Sequence, residues 1–298
     1  MKARRFFWND SEGRLRSGWR ILLTWLTMLL IFQLMRMAIH PTLPDYWSKS
    51  QKIDFYLICF AIIASLVLWK SRIHIDKRPF HSLGLNANRG AVRDVAAGFI
   101  ISAILVLTVI LIEVANGWLS FEVLRLQKTE IATGLFHLVF VGGFVVAWWE
   151  NLFFVSYLFL NFKDGCGFWC AYVLNCLIFG LIHLSNPNAN IAAFGGIVLI
   201  HAYEIFAFLK TRNLWLVLGI HAGWNSLQGL AGFAVSGQAE NQIIAQVNIT
   251  PTWLGGGLFG PEAGLIIVLT SIIAFALIWL YTKWTRIIRY GNLPSPRW

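Results

Sequence analysis

The sequence predicts an all-α fold, a polytopic bundle of transmembrane helices with about eight spans. Three observations predict it. Of 298 residues, 57% are apolar and 13% charged, against roughly 25% charged in a soluble domain, so the chain lacks the polar surface to cover itself in water. Eight stretches nearly free of charge approach or exceed the length that carries a helix across about 30 Å of hydrocarbon. None alternates as a barrel strand does, and in lipid a helix satisfies its backbone hydrogen bonds internally.

Taken in order, the first run, 19–39, follows a basic segment. It is too long for a signal-peptide core and no small-residue cleavage site follows, so it is expected to stay as an uncleaved span. The second, 55–69, is short, and the third, 95–118, contains Glu113. The fourth, 131–162, is the longest and carries His137 and Glu150. The fifth, 168–184, includes His183 and stops before Asn186-Pro187, a helix-ending pair. The sixth, 191–209, holds His201 and Glu204; the seventh, 214–235, holds His221 and Asn225; the eighth is 263–284. No internal repeat, low-complexity tract or soluble domain separates them, so 1–298 is expected to be a single integral membrane domain.

The net charge of +10 would suggest nucleic acid as the partner of a soluble protein. Here its distribution reads differently. With both termini in the cytoplasm, Lys2, Arg4, Arg5, Arg14, Arg16, Arg20, Lys70, Arg72, Lys77, Arg78, Arg89, Arg93, Lys163, Lys210, Arg212, Lys283, Arg286, Arg289 and Arg297 fall inside. Only Arg36, Lys49, Lys52, Arg125 and Lys128 fall outside. That is the positive-inside bias, and the charge then serves orientation and anionic lipid contact. The expected partner is the bilayer, with no nucleic acid. The chain is expected to be a multi-pass integral membrane protein, which in a bacterium would place it in the inner membrane.

Ionisable groups at membrane depth cost several kcal/mol unless paired, hydrated or functional. The set comprises Glu113, His137, Glu150, His183, His201, Glu204 and His221, accompanied by Asn151, Asn175 and Asn225. At about 1.5 Å per residue, Glu150 lies roughly 20 Å from the Lys163 end, His183 about 22 Å into its span, and His221 and Asn225 roughly 13 and 19 Å beyond Arg212. These four can share one layer, and His221 and Asn225, four apart, share a helix face. A carboxylate beside an imidazole can deprotonate water, and a second imidazole with a carboxamide can donate to the oxyanion that results. Glu150, His183 and His221 are also a candidate zinc set, the only cofactor this pattern suggests. Interhelical hydrogen bonding is the competing reading of the same residues.

The motifs carry a resemblance. Glu150-Asn151-Leu-Phe-Phe-Val155-Ser-Tyr-Leu is similar to the Glu-Glu-x-x-x-Arg-Gly-Tyr-Leu motif of the CPBP family, the CAAX-protease and bacteriocin-processing (Abi-type) intramembrane endopeptidases. Phe179-Gly-Leu-Ile-His183, with Asn186-Pro187 after it, resembles that family's Phe-x-x-x-His motif. His221-Ala-Gly-Trp-Asn225 resembles its His-x-x-x-Asn motif, and Gly255 to Glu262 a downstream glycine-rich segment. The similarity extends over 78–284 and is strongest over 150–229. It implies a protease that hydrolyses a peptide bond in a membrane-associated protein or peptide. Glu150 would be the general base, His183 would hold and activate the water, and His221 and Asn225 would stabilise the oxyanion, supported by Asn151, with or without a metal.

Three positions depart from the motif: Asn151 stands for the second Glu, Val155 for the Arg and Ser156 for the Gly. Losing the Glu and the Arg together strands no buried charge. This fits an active variant, and equally an inactive relative acting as a partner-binding, immunity or regulatory protein. A proton-coupled transporter using Glu150, His183 and Glu204 is a third class; the lack of an internal repeat counts against it. His201 and Glu204, three apart, are expected to pair locally. Glu262 is expected in an external or re-entrant loop, with a ligand role as the alternative, Trp224 to pack, and Glu113 and His137 to carry no assigned role. Cys59, Cys166, Cys170 and Cys176 read as small apolar residues of the helices. Trp19, Trp69, Trp118 and Trp284 read as interfacial anchors.

Overall fold

The structure, a computed structural model, describes residues 6–86, 90–124, 126–240 and 242–290. Of the basic residues placed above, Lys2, Arg4, Arg5, Arg89, Arg125 and Arg297 lie outside the described residues. A short antiparallel pair, β1 (Trp8–Asn9) with β2 (Arg14–Leu15), leads into α1 (Ser17–Ile39), α2 (Lys49–His74) and α3 (Gly90–Ala115). The strand β3 (Leu119–Val123) precedes a long helix, α4 (Lys128–Cys166). Then come α5 (Phe168–His183), α6 (Ile191–Thr211), α7 (Trp215–Leu230), β4 (Ile244–Asn248) and α8 (Ile266–Tyr290).

Each apolar run of the sequence corresponds to one of these helices. Among the described residues, however, six are long and apolar enough to cross a membrane: α1, α2, α3, α4, α6 and α8. The chain is an integral, multi-pass membrane protein. The other two, α5 and α7, have 16 residues each and rise about 24 Å, short of the hydrocarbon thickness. For α7 the reason is its place in the bundle: it is buried along almost its whole length, so lipid does not set its length.

Glycines explain how α7 comes to be so enclosed. Its most extensive helix contact is with α3, and a Cβ on Gly98 of α3 or Gly219 of α7 would collide with backbone of the other helix. Small residues let membrane helices approach backbone to backbone, where dispersion and hydrogen bonds hold them. Ser102 uses that closeness to donate to the Ile220 carbonyl at 2.5 Å. On the other side, Gly143 of α4 lets α7 approach at Ala222 and Ser226. The consequence is positional: His221 and Asn225, on the turns between these contacts, have little room to shift.

Helix α4 is not a uniform α-helix. Two stretches, Phe136–Val145 and Asn151–Leu158, are wound as π-helix, and the five residues Val146–Glu150 between them are α-helical. Wider winding changes which carbonyls are used within the helix and re-aims side chains, and it recurs at functional sites. Here it brackets Glu150.

The two ends of the bundle differ. At one end the start of α1, the end of α2 and the end of α4 meet around Arg14, Arg20, Arg72, Arg78, Asp76 and Asp164. At the other, β3 pairs with β4 from Leu119↔Asn248 to Val123↔Ile244. There, too, the loop after α7 is tied to the loop after α5 by Asn186 Nδ2 donating to the Ser236 carbonyl at 3.0 Å.

Candidate active site

A cavity of about 420 Å³ lies between α4, α5, α6 and α7, and Glu150, His183, Glu204, His221, Asn225 and Glu262 are on its wall. The four residues singled out as catalytic candidates are thus brought together, from three helices. Its loop lining, including Asn186, Ser236 and Glu240, comes from the end opposite the arginine cluster.

Glu150 projects from the α-helical segment of α4. Its nearest charged partner among the described residues is His221 Nε2, at 3.6 Å, beyond hydrogen-bonding distance, and its side chain keeps 12% exposure toward the cavity. At this distance the imidazole does not lock the carboxylate in a hydrogen bond. The carboxylate can therefore accept a proton from a group entering the cavity.

His183 closes α5. Its Nδ1 lies 2.8 Å from the Phe179 carbonyl, which can only accept, so Nδ1 carries the proton and Nε2 is left as the ring's acceptor. The Phe179 ring lies 4.6 Å from it, centroid to centroid, and also stacks on His201 at 4.1 Å. The phenylalanine of the Phe-x-x-x-His pattern thus separates and fixes two imidazoles.

His221 faces two oxygens on one side, a hydrogen-bond acceptor and a carboxylate oxygen in ion-pair contact. Its Nδ1 is 3.0 Å from Asn151 Oδ1 and 3.1 Å from Glu204 Oε1. Asn151 thus supports His221, while Glu150, one residue earlier, faces the cavity. Asn225, one turn after His221, donates from Nδ2 to the Gly142 carbonyl at 3.0 Å, inside the first π-helical stretch. An amide has two N–H groups, so one remains for a ligand. Of the departures from the motif, Val155 is fully buried in the apolar core, and Ser156 donates to the Leu83 carbonyl at 2.7 Å.

Two carboxylates not assigned from sequence line the same cavity. Glu204 pairs with His201, as the spacing suggested, through Oε2 at 3.1 Å; its other oxygen reaches His221 on a neighbouring helix, which helical spacing cannot show. Glu262 belongs to a loop, but one folded into the bundle. Its Oε1 accepts from Trp224 Nε1 at 2.9 Å, and its Oε2 from the Ser236 N–H and hydroxyl at 2.7 Å each. Gly196 of α6, where any Cβ would strike the Glu262 carbonyl, and Gly260, at φ +100°, admit this segment. The glycine-rich run before Glu262 was the available signal. His137 also lines the cavity, with Nδ1 2.6 Å from Asp54 Oδ1, whereas Glu113 is away from it, fully buried beside Asn248.

As a metal set the residues do not fit. Among the described residues no three His, Cys, Asp or Glu side chains are grouped to hold an ion. What the wall offers is one unlocked carboxylate, one imidazole acceptor and donors at His221 and Asn225, a set suited to activating water against a carbonyl.

Residues 132–227 match a family model described as Rce1-like, type II CAAX prenyl endopeptidase Rce1-like. No curated protein and no solved structure matches the chain. The matched segment runs from α4 into α7 and contains Glu150, His183, His221 and Asn225. Its match, falling on the helices that enclose the cavity, supports membership of the CPBP family of CAAX-protease-like membrane proteins.

Proposed function

We propose that the cavity hydrolyses a peptide bond in a membrane-associated protein or peptide, with Glu150 as general base. The observation that carries this reading is the unlocked Glu150 carboxylate facing a cavity it shares with His183, His221 and Asn225. Water held by His183 Nε2 loses a proton to Glu150 as its oxygen attacks the carbonyl carbon. The negative charge passes to the carbonyl oxygen, which accepts hydrogen bonds from the Nε2–H of a His221 ring already protonated on both nitrogens between Glu204 and Glu150, and from the free Asn225 N–H. On collapse the C–N bond breaks, and the proton on Glu150 goes to the leaving amine. Aligned donors of this kind are each worth about 10²–10³ in rate, and a positioned base about 10²–10⁴. No step requires a metal.

The loop lining adds a direction. The wall residues outside the helices come from the end away from the arginine cluster. With the basic end in the cytoplasm, the scissile bond arrives from the opposite leaflet or from within the bilayer.

The test uses the full chain reconstituted in vesicles with membrane proteins of its host cell, in ¹⁸O-labelled water. New peptide termini are read by mass spectrometry. The expected result is paired new ends, with one ¹⁸O in each new carboxylate. Absence of new termini relative to empty vesicles would overturn the reading and favour a partner-binding role for the same cavity.

A further inference from the structure

Glu204 is fully enclosed, at 1% exposure, and nothing above gives it a task. It sits between two imidazoles. Its Oε2 is 3.1 Å from His201 Nδ1, and His201 Nε2 is 3.2 Å from Asn175 Oδ1. The Asn175 amide is fixed in turn, because its Nδ2 donates to the Phe154 carbonyl at 2.8 Å. A chain of contacts therefore runs from the α4 backbone through α5 to α6 and clamps one oxygen of Glu204. The other oxygen, Oε1, receives no hydrogen bond, yet lies 3.1 Å from His221 Nδ1. A buried carboxylate oxygen without a donor is costly unless a polar group opposes it, and the group opposing it is His221.

The geometry points to Glu204 as the positioning residue of the site: a carboxylate that holds the His221 ring with Nδ1–H turned inward and Nε2 presented to Glu150 and the substrate. This deepens the hydrolytic reading and rests on it for its catalytic consequence, but not for its structural one. Both neighbours of Nδ1, Asn151 Oδ1 and Glu204 Oε1, only accept, so the proton must reside on Nδ1. When Nε2–H donates to the oxyanion, the ring carries a proton on each nitrogen, and the carboxylate behind it balances that charge. Asn151, being neutral, orients the ring but supplies no counter-charge, and its own Nδ2 is buried without a partner. The adjacent position on α4 thus provides an amide, and the balancing charge comes across the bundle from α6.

The separating experiment begins without substrate. In the ¹⁵N-histidine-labelled full chain in detergent micelles, His221 is expected to show a protonated Nδ1 in a ring protonated on both nitrogens, which Glu204→Gln shifts toward the neutral ring; a parent spectrum with the proton on Nε2 alone overturns the proposal without recourse to any variant. On a peptide that the parent cleaves, Glu204→Gln is expected to lower kcat about a hundredfold with KM changed less than threefold. Adding Asn151→Glu to Glu204→Gln places a carboxylate on the same nitrogen from α4, and is expected to recover at least tenfold of the loss. A residue that merely packed would not be rescued from another helix. An unshifted His221 signal in Glu204→Gln, an unchanged kcat, or no recovery in the double variant contradicts the assignment. Should the parent cleave nothing, the tautomer measurement still decides whether Glu204 holds His221.

Discussion

Two buried polar clusters occupy the two ends of this bundle, and they are satisfied in opposite ways. Around Asp76, one oxygen is 2.7 Å from Arg72 and the other 3.5 Å from Arg20, with Asn161 and Tyr157 completing the shell. Asp164 contacts Arg14, Arg20 and Arg78 within 3.5 Å. Carboxylates there meet guanidinium groups in fixed geometry, and the chain segments they join are the start of α1 and the ends of α2 and α4. Among the described residues no arginine lines the cavity: carboxylates meet imidazoles and amides, and the ion-pair contact of Glu150, to His221 Nε2, is 3.6 Å long. The two carboxylates of the arginine cluster are each shared among several partners, although Arg20 Nε and Nη1 make no hydrogen bond, whereas the Glu150 carboxylate must be held by its surroundings. The contrast separates a cluster that ties helices together from one that can react.

The largest effect expected from breaking this contrast is on catalysis. His183→Ala removes the acceptor for water and should reduce peptide cleavage at least a hundredfold, with the thermal unfolding of the detergent-solubilised protein unchanged. At the other end, Asp76→Leu leaves Arg72 buried without its ion-pair partner and Arg20 with Asp164 alone, and should cost about 3–5 kcal/mol of stability. Chemical unfolding in mixed micelles measures this, and cleavage per folded molecule should stay at the parent's value. Asn225→Ala sharpens the comparison inside the cavity, with a loss of about 10²-fold in kcat and little change in unfolding. The smallest effect is expected for Glu262→Gln. It keeps the shape of the side chain but weakens hydrogen bonds from Trp224 and Ser236, costing about 1–3 kcal/mol, read as faster hydrogen exchange in the loop 235–238.

Much of this architecture is legible in the sequence, and the unread parts share a cause. The apolar runs mark all the helices because the bilayer imposes length and composition segment by segment. Their boundaries hold to within six residues, the largest differences being at the second, where the charged ends of α2 extend the helix to Lys49 and His74, and at the eighth, which runs on to Tyr290. The number of true crossings is less legible, since α7 is enclosed by protein and its 16 residues answer to packing. Glu150, His183, His221 and Asn225 stood out because ionisable and amide groups are scarce in such runs. The link from Glu204 to His221 depends on how α6 packs against α7, and the burial of Glu262 on a loop threaded past Gly196. The two π-helical stretches around Glu150 carry no signature in composition or periodicity. Interhelical geometry, not local pattern, decides each of these.

The central claim is that the unlocked carboxylate does the chemistry. It is tested most directly by the rate at which vesicles containing the full chain generate new termini, with the parent and Glu150→Gln compared at equal amounts of folded protein. The side chains differ by one oxygen and are nearly the same size, so packing and cavity shape are preserved while the base is lost. A fall of at least a hundredfold is the predicted result; equal rates from the two proteins would contradict it.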